Sequence, residues 1–544
     1  MSNISYVEMM TVSCMRKFYY ESELIQREAR GVTLKNQKHR FQLIIKNTQG
    51  ALYHNRIAVT GDLAPFVSLS IIDSVPAECT YITPTDDYYL GGSGIYPDVI
   101  RPFHDGDLII PPGGNKCLWV CVTPKDTLPV GIYKIGFQLF NSDGDLTAET
   151  EYELEVLDIE LESSDIKKTN WMHYDCICHM HNVKPFTSAF YKAFENYLAA
   201  YTRSGFNMLL TPLFTPPLDT YIGGERMTIQ LIDVYVENNG YTFEFKKLKK
   251  FLNFVFARGI KYIEFSHLFT QWGGACCPKI IAKENGEEKK IFGWENDSCS
   301  EEYKRFLNEF LSELIKFIKK EGIEDRCYFH VTDEPGEEHL ERYKECRQIV
   351  KNNIGDLPTL DAISHYEYYQ QGLVDIPVAV LSSIDEFIKH DTKNMLAYYC
   401  CMPADNYYTN RFLNMPLQRT RILGCQLYQT NVNGFLHWGF NFYNSARSYF
   451  VINPYSVTNA GGAFPPGDGF IVYPSKDGVN LSMRSEIVAM GFEDYDLLRA
   501  LEGKFGRAYV EKMLKEEGVV GYTQYPKDCE WHTKFIEKVK RLLV

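Results

Sequence analysis

The first part of the chain, to about residue 165, alternates short apolar runs with turn residues. Runs such as "FQLIIKN" and "YKIGFQLF" are rich in β-branched and aromatic residues, and turn signals such as "PPGGN" and "NSDGD" separate them. Short runs bounded by Gly, Pro, Asn and Asp are typical of strands, and helical periodicity is nearly absent. The pattern predicts an N-terminal β-sandwich domain over residues 1–165.

From about residue 170 the pattern changes to strand-like runs that alternate with amphipathic segments. Eight runs are predicted strands, at 171–180, 206–213, 261–269, 327–334, 359–366, 377–383, 395–403 and 434–443. Three segments have apolar residues at i, i+3 and i+4 and stop at a glycine, which predicts helices at 188–205, 246–259 and 300–322. Eight such units predict a (β/α)8 TIM-type barrel over residues 166–544, with closing helices at the C-terminus. The fold class is therefore multidomain, β plus α/β.

Composition fits a large globular protein. The 544 residues exceed one ordinary core, so two or more domains are expected. Hydrophobic residues make up 45% and charged residues 23%, which is ordinary. Aromatic residues make up 14%, which suits a protein that stacks flat ligands such as sugar rings, although on composition alone a large aromatic core is the better explanation.

Charge and segment patterns exclude several partner classes. The net charge is −13 and no basic run is interleaved with aromatic residues, which argues against nucleic acid. No apolar run approaches the roughly 20 residues of a membrane helix. The start, "MSNISYVEMM", lacks a signal-peptide pattern, and an odd total of 15 cysteines favours free thiols, so we expect a cytoplasmic protein. Nothing in the sequence indicates an oligomeric state.

Two adjacent acids stand at the end of the fourth predicted strand. In "CYFHVTDEPGEEH", Asp333 and Glu334 come just before Pro335. Chemistry in a barrel lies at the C-terminal ends of the strands. An acid before proline is also how many helices begin, so simple capping is an alternative. Capping needs only one acid, however, and His330 and Thr332 would make the strand polar just below the pair. These observations favour a functional pair.

Adjacent carboxylates have a definite use in carbohydrate chemistry. Retaining glycosidases ordinarily use a nucleophile and an acid whose carboxyl groups are about 5 Å apart. Where the sugar carries a 2-acetamido group, its carbonyl oxygen can attack the anomeric carbon instead. The enzyme then needs an acid/base, which we assign to Glu334, and a second carboxylate that orients the acetamide, which we assign to Asp333. Burial beside Asp333 is expected to raise the pKa of Glu334.

Several stretches together resemble glycoside hydrolase family 123 and its wider relatives. They are "YPDVIRP" (96–102), "LWVCVTPKDTLPVGIYKIGF" (118–137), "SHLFTQWGG" (266–274), "HVTDEP" (330–335) and "MRSEIVAMGFEDYDLL" (483–498). The resemblance implies a β-sandwich followed by a barrel. It also implies exo-β-N-acetylgalactosaminidase activity by substrate-assisted catalysis through an Asp-Glu pair, which Asp333 and Glu334 match. Galacto and gluco configuration differ at one hydroxyl, and the sequence leaves that choice open.

The loop after the third predicted strand supplies three candidate substrate-binding residues. Trp272 is a candidate platform for a sugar ring, and His267 and Gln271 are candidate hydroxyl ligands. Their position in a mouth loop favours this reading over simple packing on the rim.

Four further candidates come from the later strands. One of Tyr398 and Tyr399 should face the mouth because neighbours on a strand alternate, and we choose Tyr399 to bind the acetamide carbonyl. Trp438 is predicted to wall the acetamide pocket and Asn441 to bind a hydroxyl. Asp361 is predicted to bind hydroxyls or to tune Glu334. Core packing or a local salt bridge is the alternative for each of these residues.

No metal or organic cofactor is predicted. The segment "HYDCICHMH" (173–181) has three His and two Cys, but read as a strand it would divide them between two faces, and no CxxC pair supports a metal site. His173, Asp175 or His179 could instead line the sugar pocket. The Gly-rich "LGGSG" and "NAGGAF" do not join a strand to a helix as phosphate loops do.

The sequence therefore predicts a glycoside hydrolase whose partner is a carbohydrate, and which removes a terminal β-linked 2-acetamido sugar. Two alternatives stay open. One is a glycosidase of different sugar specificity, with Asp333 or a distant acid such as Glu264 as nucleophile. The other is a non-catalytic carbohydrate-binding protein that has kept the barrel.

Overall fold

A computed structural model describes residues 6–24, 27–50, 52, 55–79, 90–237, 240–390, 394–399, 408–476 and 478–544. The N-terminal part consists of strands, which are β1 (Val7–Val12), β2 (Arg30–Leu34), β3 (His39–Asn47), β4 (Arg56–Thr60), β5 (Val67–Ala77), β6 (Gly94–Pro102), β7 (Asn115–Val122), β8 (Gly131–Phe140) and β9 (Leu146–Leu157). Two sheets form, in the orders β1-β3-β7-β5-β6 and β2-β9-β8-β4.

These two sheets share one apolar core. Phe41 of β3 and Val120 of β7 belong to the same buried cluster as Phe137 of β8 and Leu154 of β9. Along β8 and β9, buried positions alternate with accessible ones. One face of this sheet therefore lies on the core and the other faces solvent, as the alternating sequence pattern requires.

The remaining strands lie in the C-terminal two thirds of the chain. They are β10 (Lys167–Asn170), β11 (Met208–Thr211), β12 (Asp233–Glu237), β13 (Gly240–Glu244), β14 (Tyr262–Phe265), β15 (Ile280–Glu284), β16 (Glu287–Phe292), β17 (Cys327–Phe329), β18 (Leu360–Ile363), β19 (Ile376–Val380), β20 (Leu396–Tyr398), β21 (Gly434–His437), β22 (Tyr473–Ser475) and β23 (Gly478–Ser482). Eight of them form a parallel sheet in the order β17-β14-β11-β10-β21-β20-β19-β18. A parallel bridge between Phe329 and Thr359 joins its two ends. The predicted eight-stranded barrel is confirmed as a nearly closed, TIM-like ring.

The helices are α1 (Tyr174–His181), α2 (Ser188–Arg203), α3 (Lys246–Phe256), α4 (Glu301–Glu321), α5 (Leu340–Ile354), α6 (Tyr366–Gln370), α7 (Ile384–Lys389), α8 (Leu417–Arg421), α9 (Leu423–Thr430), α10 (Met483–Phe505), α11 (Arg507–Glu516) and α12 (Cys529–Leu543). The three predicted barrel helices correspond to α2, α3 and α4. The Ser300 side chain caps α4 by accepting from the Tyr303 amide at 3.3 Å, and Gly322 ends it with φ 65°. None of the helices among the described residues has the length and apolarity needed to cross a membrane.

The first predicted strand, 171–180, is wrong. The first barrel strand is β10, a few residues earlier, and most of the predicted segment is helix α1. Tyr174 through Cys178 are all buried, so this part of the segment has no exposed face whose spacing would distinguish a helix from a strand. The seventh prediction, 395–403, contains β20, and its residues from 400 onwards lie outside the described part of the chain.

A four-stranded sheet, in the order β13-β12-β15-β16, lies outside the barrel ring and was not predicted. The hairpin β12–β13 follows β11 and the hairpin β15–β16 follows β14. They join through parallel pairing of Val234 with Ala282 and of Tyr235 with Lys283. The sheet therefore ties together the two long loops that leave neighbouring strands on the C-terminal side of the barrel.

The two parts of the chain are interleaved. Strand β23 pairs antiparallel with β6, so residues beyond the barrel extend the larger N-terminal sheet. Arg484, at the start of α10, is fully buried and forms an ion pair with Asp98 of β6 at 3.0 Å. The "YPDVIRP" and "MRSEIVAMGF" stretches, separated by almost 400 residues, thus meet in one buried contact.

Candidate active site

The adjacent acids lie just beyond β17, on the C-terminal side of the barrel. Asp333 and Glu334 are both partly buried. The helical segments that follow begin further along, with caps at Gly336 and His339. Neither acid caps a helix, so the capping interpretation is excluded.

Glu334 has an unusual backbone that its surroundings hold in place. Its φ is 45°, in the left-handed region that non-glycine residues rarely occupy. Strained backbone of this kind occurs preferentially at functional sites. Its Oε1 accepts a hydrogen bond from the Tyr398 hydroxyl at 2.6 Å. The carboxyl group therefore has a fixed direction at the end of the barrel.

Asp333 is the member of the pair for which the structure shows a shifted pKa. Burial is the main cause that raises its pKa well above the ordinary value, followed by the charge of Glu334. Asp361 and Asp219 act in the same direction, and His330 acts in the opposite one. The sequence expectation of a raised pKa concerned Glu334, and the raised pKa that the structure shows is that of its neighbour Asp333. Because two coupled acids share a proton, the raised affinity belongs to the pair.

Trp272 lies on the rim beside the acids. Its amide donates to the Asp333 carbonyl at 2.8 Å, and its own φ is 58°. The side chain is 41% exposed, and the Arg447 guanidinium lies 6.0 Å from its ring centre. An indole held by its backbone against the acid pair and open to solvent is suited to stacking on a sugar.

Gln271 is placed differently from its predicted role. It is buried; its Oε1 accepts from the Asp219 amide at 2.5 Å, and its Nε2 donates to the Thr220 carbonyl at 3.4 Å. The amide group thus holds the loop after β11. That loop presents Asp219, whose carboxylate accepts from the Arg447 amide at 3.0 Å and whose pKa burial raises to about 6.

His267 is buried beside the barrel axis and has unused polar atoms. Neither ring nitrogen has a hydrogen-bond partner among the described residues. Its ring packs edge-on against Trp171 at 5.2 Å and stacks on His330 at 4.3 Å. Burial, and then the charge of His330, lower its pKa well below 6.5. A neutral imidazole with a free donor and a free acceptor fits a sugar hydroxyl.

Tyr398 is the last residue of β20 and Tyr399 follows it, and the structure places Tyr398 beside the acids. Tyr398 belongs to the cluster inside the barrel, and its hydroxyl binds Glu334. Tyr399 points outward, into the layer between strands and helices, where it packs edge-on against Phe435 at 4.8 Å. The alternation was predicted correctly, but the choice of Tyr399 does not match this placement.

Trp438 follows β21 and is partly exposed. Its Nε1 donates to Asp468 Oδ2 at 3.0 Å, and the other Asp468 oxygen lies 3.2 Å from His437 Nε2. Burial raises the pKa of Asp468 to about 7. The long loop after β21 therefore reaches back to orient this indole. The loop residue Phe464 packs edge-on against it at 5.2 Å.

The Asn441 side chain uses its polar atoms to bind backbone groups rather than a ligand in the mouth of the barrel. Its Oδ1 accepts from the His173 amide at 2.9 Å, and its Nδ2 donates to the His173 carbonyl at 3.0 Å. Asp175, in the same segment, is bound by Arg226 at 2.6 Å. Asn441 thus holds the loop between β10 and α1 against the loop after β21, and the Asp175–Arg226 ion pair joins α1 to the loop after β11.

A charged network lies inside the protein below the acid pair. His330 Nε2 lies 2.8 Å from Glu264 Oε2, and His330 Nδ1 lies 3.4 Å from Asp361 Oδ1. Glu264 also accepts from Thr169 Oγ1 and from Trp171 Nε1. All three charged side chains are fully buried.

Asp361 is saturated by protein donors. Besides His330, its carboxylate accepts from the Val331 amide at 2.9 Å and from the Tyr343 hydroxyl at 2.6 Å. The site thus offers Asp361 no free oxygen for a sugar hydroxyl. Any influence it has on the acids is electrostatic.

His267, His330 and Asp361 form a grouping in which three potential metal-ligand atoms come within 4.8 Å of one another. The two imidazole planes are only 24° apart at a ring separation of 4.3 Å. A metal ligated by histidine lies near the plane of each ring about 2 Å from its nitrogen, and two nearly parallel planes at this separation have no such common point. Both nitrogens of His330 also face carboxylates. The geometry therefore favours a hydrogen-bonded ion cluster over a metal site.

Three mouth residues were missed by sequence reasoning: Tyr398, Asp219 and Arg447. Tyr398 was weighed against Tyr399 in the sequence, and the two differ only in which face of the strand their position gives them. Asp219, in "TPPLDT", follows a predicted strand and is followed by a long loop, which is a signal that could have been used. Arg447 comes from the loop after β21, and nothing in its local sequence indicates its position.

A parallel eight-stranded barrel that presents two neighbouring carboxylic acids and exposed tryptophans at its C-terminal edge has the architecture of a glycoside hydrolase. Comparison with known proteins agrees. The profile "Glycoside hydrolase 123, catalytic domain" matches residues 171–501, which is more than half of the chain. The chain therefore belongs to glycoside hydrolase family 123.

A solved structure has the same fold. A family 123 glycoside hydrolase from Clostridium perfringens, described in a study of glycolipid glycan hydrolysis, superposes with a TM-score of 0.75 at 15% identity, covering 99% of this chain and 97% of that one. A β-D-glucuronidase from Dictyoglomus thermophilum aligns with a TM-score of 0.34 at 8% identity, over 90% of this chain and 98% of that one. That score is too low to carry an argument. A search of curated protein sequences finds no match.

Proposed function

We propose that this glycoside hydrolase removes a terminal β-linked 2-acetamido sugar, with N-acetylgalactosamine as the first candidate, by substrate-assisted retaining catalysis. The observation that carries the proposal is the adjacent pair itself: a Glu334 carboxyl fixed by Tyr398, next to an Asp333 carboxyl whose pKa is strongly raised. Two neighbouring acids in unequal surroundings are suited to two different roles.

In the first step, the acetamide carbonyl oxygen attacks the anomeric carbon and the glycosidic bond breaks. Binding of the acetamide N–H favours the ionised form of Asp333, so the proton of the pair lies on Glu334, which gives it to the departing oxygen. The Asp333 carboxylate accepts the N–H and stabilises the positive charge of the cyclic intermediate. In the second step, Glu334 takes a proton from water, and that water opens the intermediate at the anomeric carbon. The configuration is retained and no cofactor is consumed.

The surrounding side chains fit the same roles. We assign to Tyr398 the aiming of Glu334, in place of the role predicted for Tyr399. Trp438, fixed by Asp468, is placed to wall the acetamide methyl group, and Trp272 to support the ring. We assign His267 to a hydroxyl, because its ring nitrogens have no hydrogen-bond partner in the described part of the chain. Gln271, Asn441 and Asp361 act indirectly, because protein partners occupy their polar atoms.

The alternative with a distant nucleophile has less support. Glu264 is fully buried, and its two oxygens accept from Thr169, Trp171 and His330, so it cannot reach a substrate above Asp333. A classical two-carboxylate mechanism would then need Asp333 as nucleophile. Azide rescue of Asp333→Ala with formation of a glycosyl azide would favour that mechanism.

We further interpret the two N-terminal sheets as a β-sandwich domain over residues 1–165, with the barrel and its closing helices over 166–544. The shared core of the sheets supports this division, with β22 and β23 as the part of the second domain that joins the first. We keep the cytoplasm as the proposed location, because the 13 cysteines in the described part of the chain are free thiols and a reducing compartment preserves them.

A thiazoline inhibitor tests the mechanism directly. The N-acetylgalactosamine-derived thiazoline mimics the cyclic intermediate, so we expect competitive inhibition with a Kd at least about 100-fold tighter than that of the parent sugar, as transition-state-like ligands show. The gluco thiazoline is the matched control for configuration. The proposal would be contradicted if neither thiazoline inhibits the protein while an iminosugar without an acetamide binds to it.

A further inference from the structure

The rim of the mouth carries aromatic rings that the proposed catalytic steps do not use. Tyr449, in the loop after β21, stacks on Tyr221, in the loop after β11, at 4.6 Å between ring centres and 16° between the planes. Tyr449 is nevertheless 60% exposed. Tyr221 therefore covers one face of the Tyr449 ring, and the opposite face is open to solvent. An aromatic face that is held in place and left open suits stacking on a ligand.

Arg447 joins this aromatic pair to the acids. It lies two residues before Tyr449, so at most about 7 Å of backbone separates the two, and its guanidinium is 6.0 Å from the Trp272 ring centre. The Trp272 amide in turn donates to the Asp333 carbonyl at 2.8 Å. The chain of contacts from the acids therefore runs through Trp272 to Arg447 and then to the stacked tyrosines. We call Tyr221, Arg447 and Tyr449 the outer shelf.

Hydrogen bonds that do not involve the Arg447 guanidinium or the Tyr449 hydroxyl hold the backbone of the outer shelf. The Arg447 amide donates to Asp219 Oδ2 at 3.0 Å, and the Arg447 carbonyl accepts from the Tyr221 amide at 3.0 Å. Ser448 Oγ donates to the Asp219 carbonyl at 2.7 Å. Asp219, Arg447 and Ser448 have φ of 41°, 57° and 57°, which non-glycine residues rarely adopt and which occurs preferentially at functional sites. The shelf is therefore preorganised.

The chemistry of the outer shelf fits a sugar better than a hydrocarbon chain. A pyranose ring has a face of C–H groups that can stack on the open face of Tyr449, and it has hydroxyl groups around its edge. The Arg447 guanidinium is exposed and has five N–H donors for such hydroxyl groups. A hydrocarbon chain on the same surface would remove water from the guanidinium and return no hydrogen bond, which costs free energy.

We propose that the outer shelf binds the aglycone and that this aglycone is itself a sugar, so that the substrate is an oligosaccharide that ends in the acetamido sugar. The inference rests on the proposed function, because it names what is attached to the sugar that the acids remove. The second sugar stacks on Tyr449, and Arg447 donates to its hydroxyl groups. These two residues set the choice of substrate, while Asp333 and Glu334 carry out the reaction.

The first test measures binding to Glu334→Gln protein, in which the ligand stays intact. Isothermal titration calorimetry compares methyl β-N-acetylgalactosaminide with disaccharides in which the same sugar is β-linked to galactose, glucose or glucuronic acid. We expect a disaccharide to bind about tenfold more tightly than the methyl glycoside, the gain of one stacked aromatic contact. Adding Tyr449→Ala or Arg447→Gln should remove most of this gain. A second sugar that adds no affinity, or a gain that both variants retain, would overturn the proposal.

Tyr509→Ala is the matched control. Tyr509 is 42% exposed and stacks on Phe505 at 4.9 Å, but it lies on the closing helix α11. We expect the disaccharide to keep its gain in affinity in this variant, and an equal loss in Tyr509→Ala and Tyr449→Ala would contradict the proposal. Dodecyl β-N-acetylgalactosaminide tests a hydrocarbon aglycone. If it binds more tightly than every disaccharide, and Tyr449→Ala removes that advantage, the shelf binds a lipid and the proposal of a sugar is wrong.

Steady-state kinetics separate this inference from the proposed function. In enzyme that keeps Glu334, Tyr449→Ala should lower kcat/KM for the preferred disaccharide about tenfold relative to kcat/KM for the methyl glycoside, mainly through KM, because a binding contact is lost. If the methyl glycoside is hydrolysed and this ratio does not change, only the present inference fails. If none of the acetamido sugars is bound or hydrolysed, the proposed function fails and this inference fails with it.

Discussion

Glu334→Gln is expected to lower kcat/KM on a 2-acetamido glycoside by about 10²–10⁴-fold, the range that a single acid/base supplies. The glutamine keeps the size of the side chain and can still accept from Tyr398, but it has no proton to give to the departing oxygen. The loss should be largest for leaving groups of high pKa, which depend most on protonation. Initial rates on a pair of glycosides with alkyl and nitrophenyl leaving groups measure both effects.

Glu337→Gln is the matched control for this change. Glu337 lies three residues further along, is the same residue type and has a side chain that is 82% exposed. We expect activity within about twofold of wild type, because surface charges have small effects. Tyr398→Phe removes only the hydrogen bond that directs Glu334, so its activity should lie between those of Glu334→Gln and Glu337→Gln. An active Glu334→Gln enzyme with rates near wild type would remove Glu334 from the mechanism.

Asp98→Ala is expected to destabilise the protein by about 3–5 kcal/mol, the usual cost of leaving one partner of a buried ion pair alone. Arg484 donates to Asp98 through Nε and Nη2, and also to the Gly467 carbonyl at 2.5 Å. Tyr473 donates to the same carboxylate at 2.7 Å. Removing the acid therefore strands a buried guanidinium where the N-terminal sheet meets α10 and the loop after β21. Urea unfolding followed by tryptophan fluorescence measures the loss.

A solvent-exposed ion pair provides the comparison. Glu151 binds Lys134 at 3.3 Å across β8 and β9, with both side chains more than half exposed. Glu151→Ala should leave the unfolding midpoint close to that of wild type. Equal effects of Asp98→Ala and Glu151→Ala would mean that the buried pair does not join the two parts of the chain as the structure indicates.

The hydrophobic pattern predicted most barrel strands because their flanking turns and apolar runs are distinct. It missed β10 because that strand reads "KKTN". Lys168 reaches the Phe492 ring at 5.2 Å, and Thr169 binds Glu264 inside the barrel. The polar residues of β10 are therefore consistent with a buried strand, but this can be recognised only when their distant contacts are known.

The extra sheet had a local signal that was not used. "KENGEE" places Asn285 and Gly286 between the two runs of β15 and β16, and both adopt positive φ, 52° and 86°. Asn-Gly between alternating runs is a strong hairpin signal. Recognising it would have predicted this hairpin, although not its pairing with β12, which depends on the barrel bringing the two loops together.

Within the site, the sequence located the acids because barrel geometry places strand ends at the mouth. It could not show which polar side chains bind other parts of the protein and are therefore not available to a substrate. The amides of Gln271 and Asn441 are occupied by backbone groups from other loops, and the oxygens of Asp361 by Tyr343, Val331 and His330. Tertiary contacts of this kind leave no local pattern.

The central claim is most directly tested by hydrolysis of aryl β-glycosides that differ only at carbon 2. N-acetylgalactosaminide, N-acetylglucosaminide and the corresponding galactoside and glucoside would be compared in wild type and in Asp333→Asn. We predict that wild type hydrolyses only an acetamido sugar. The rate of that hydrolysis should be at least about 100-fold lower in Asp333→Asn. Turnover of a sugar that lacks the acetamide, at a comparable rate, would contradict the substrate-assisted mechanism.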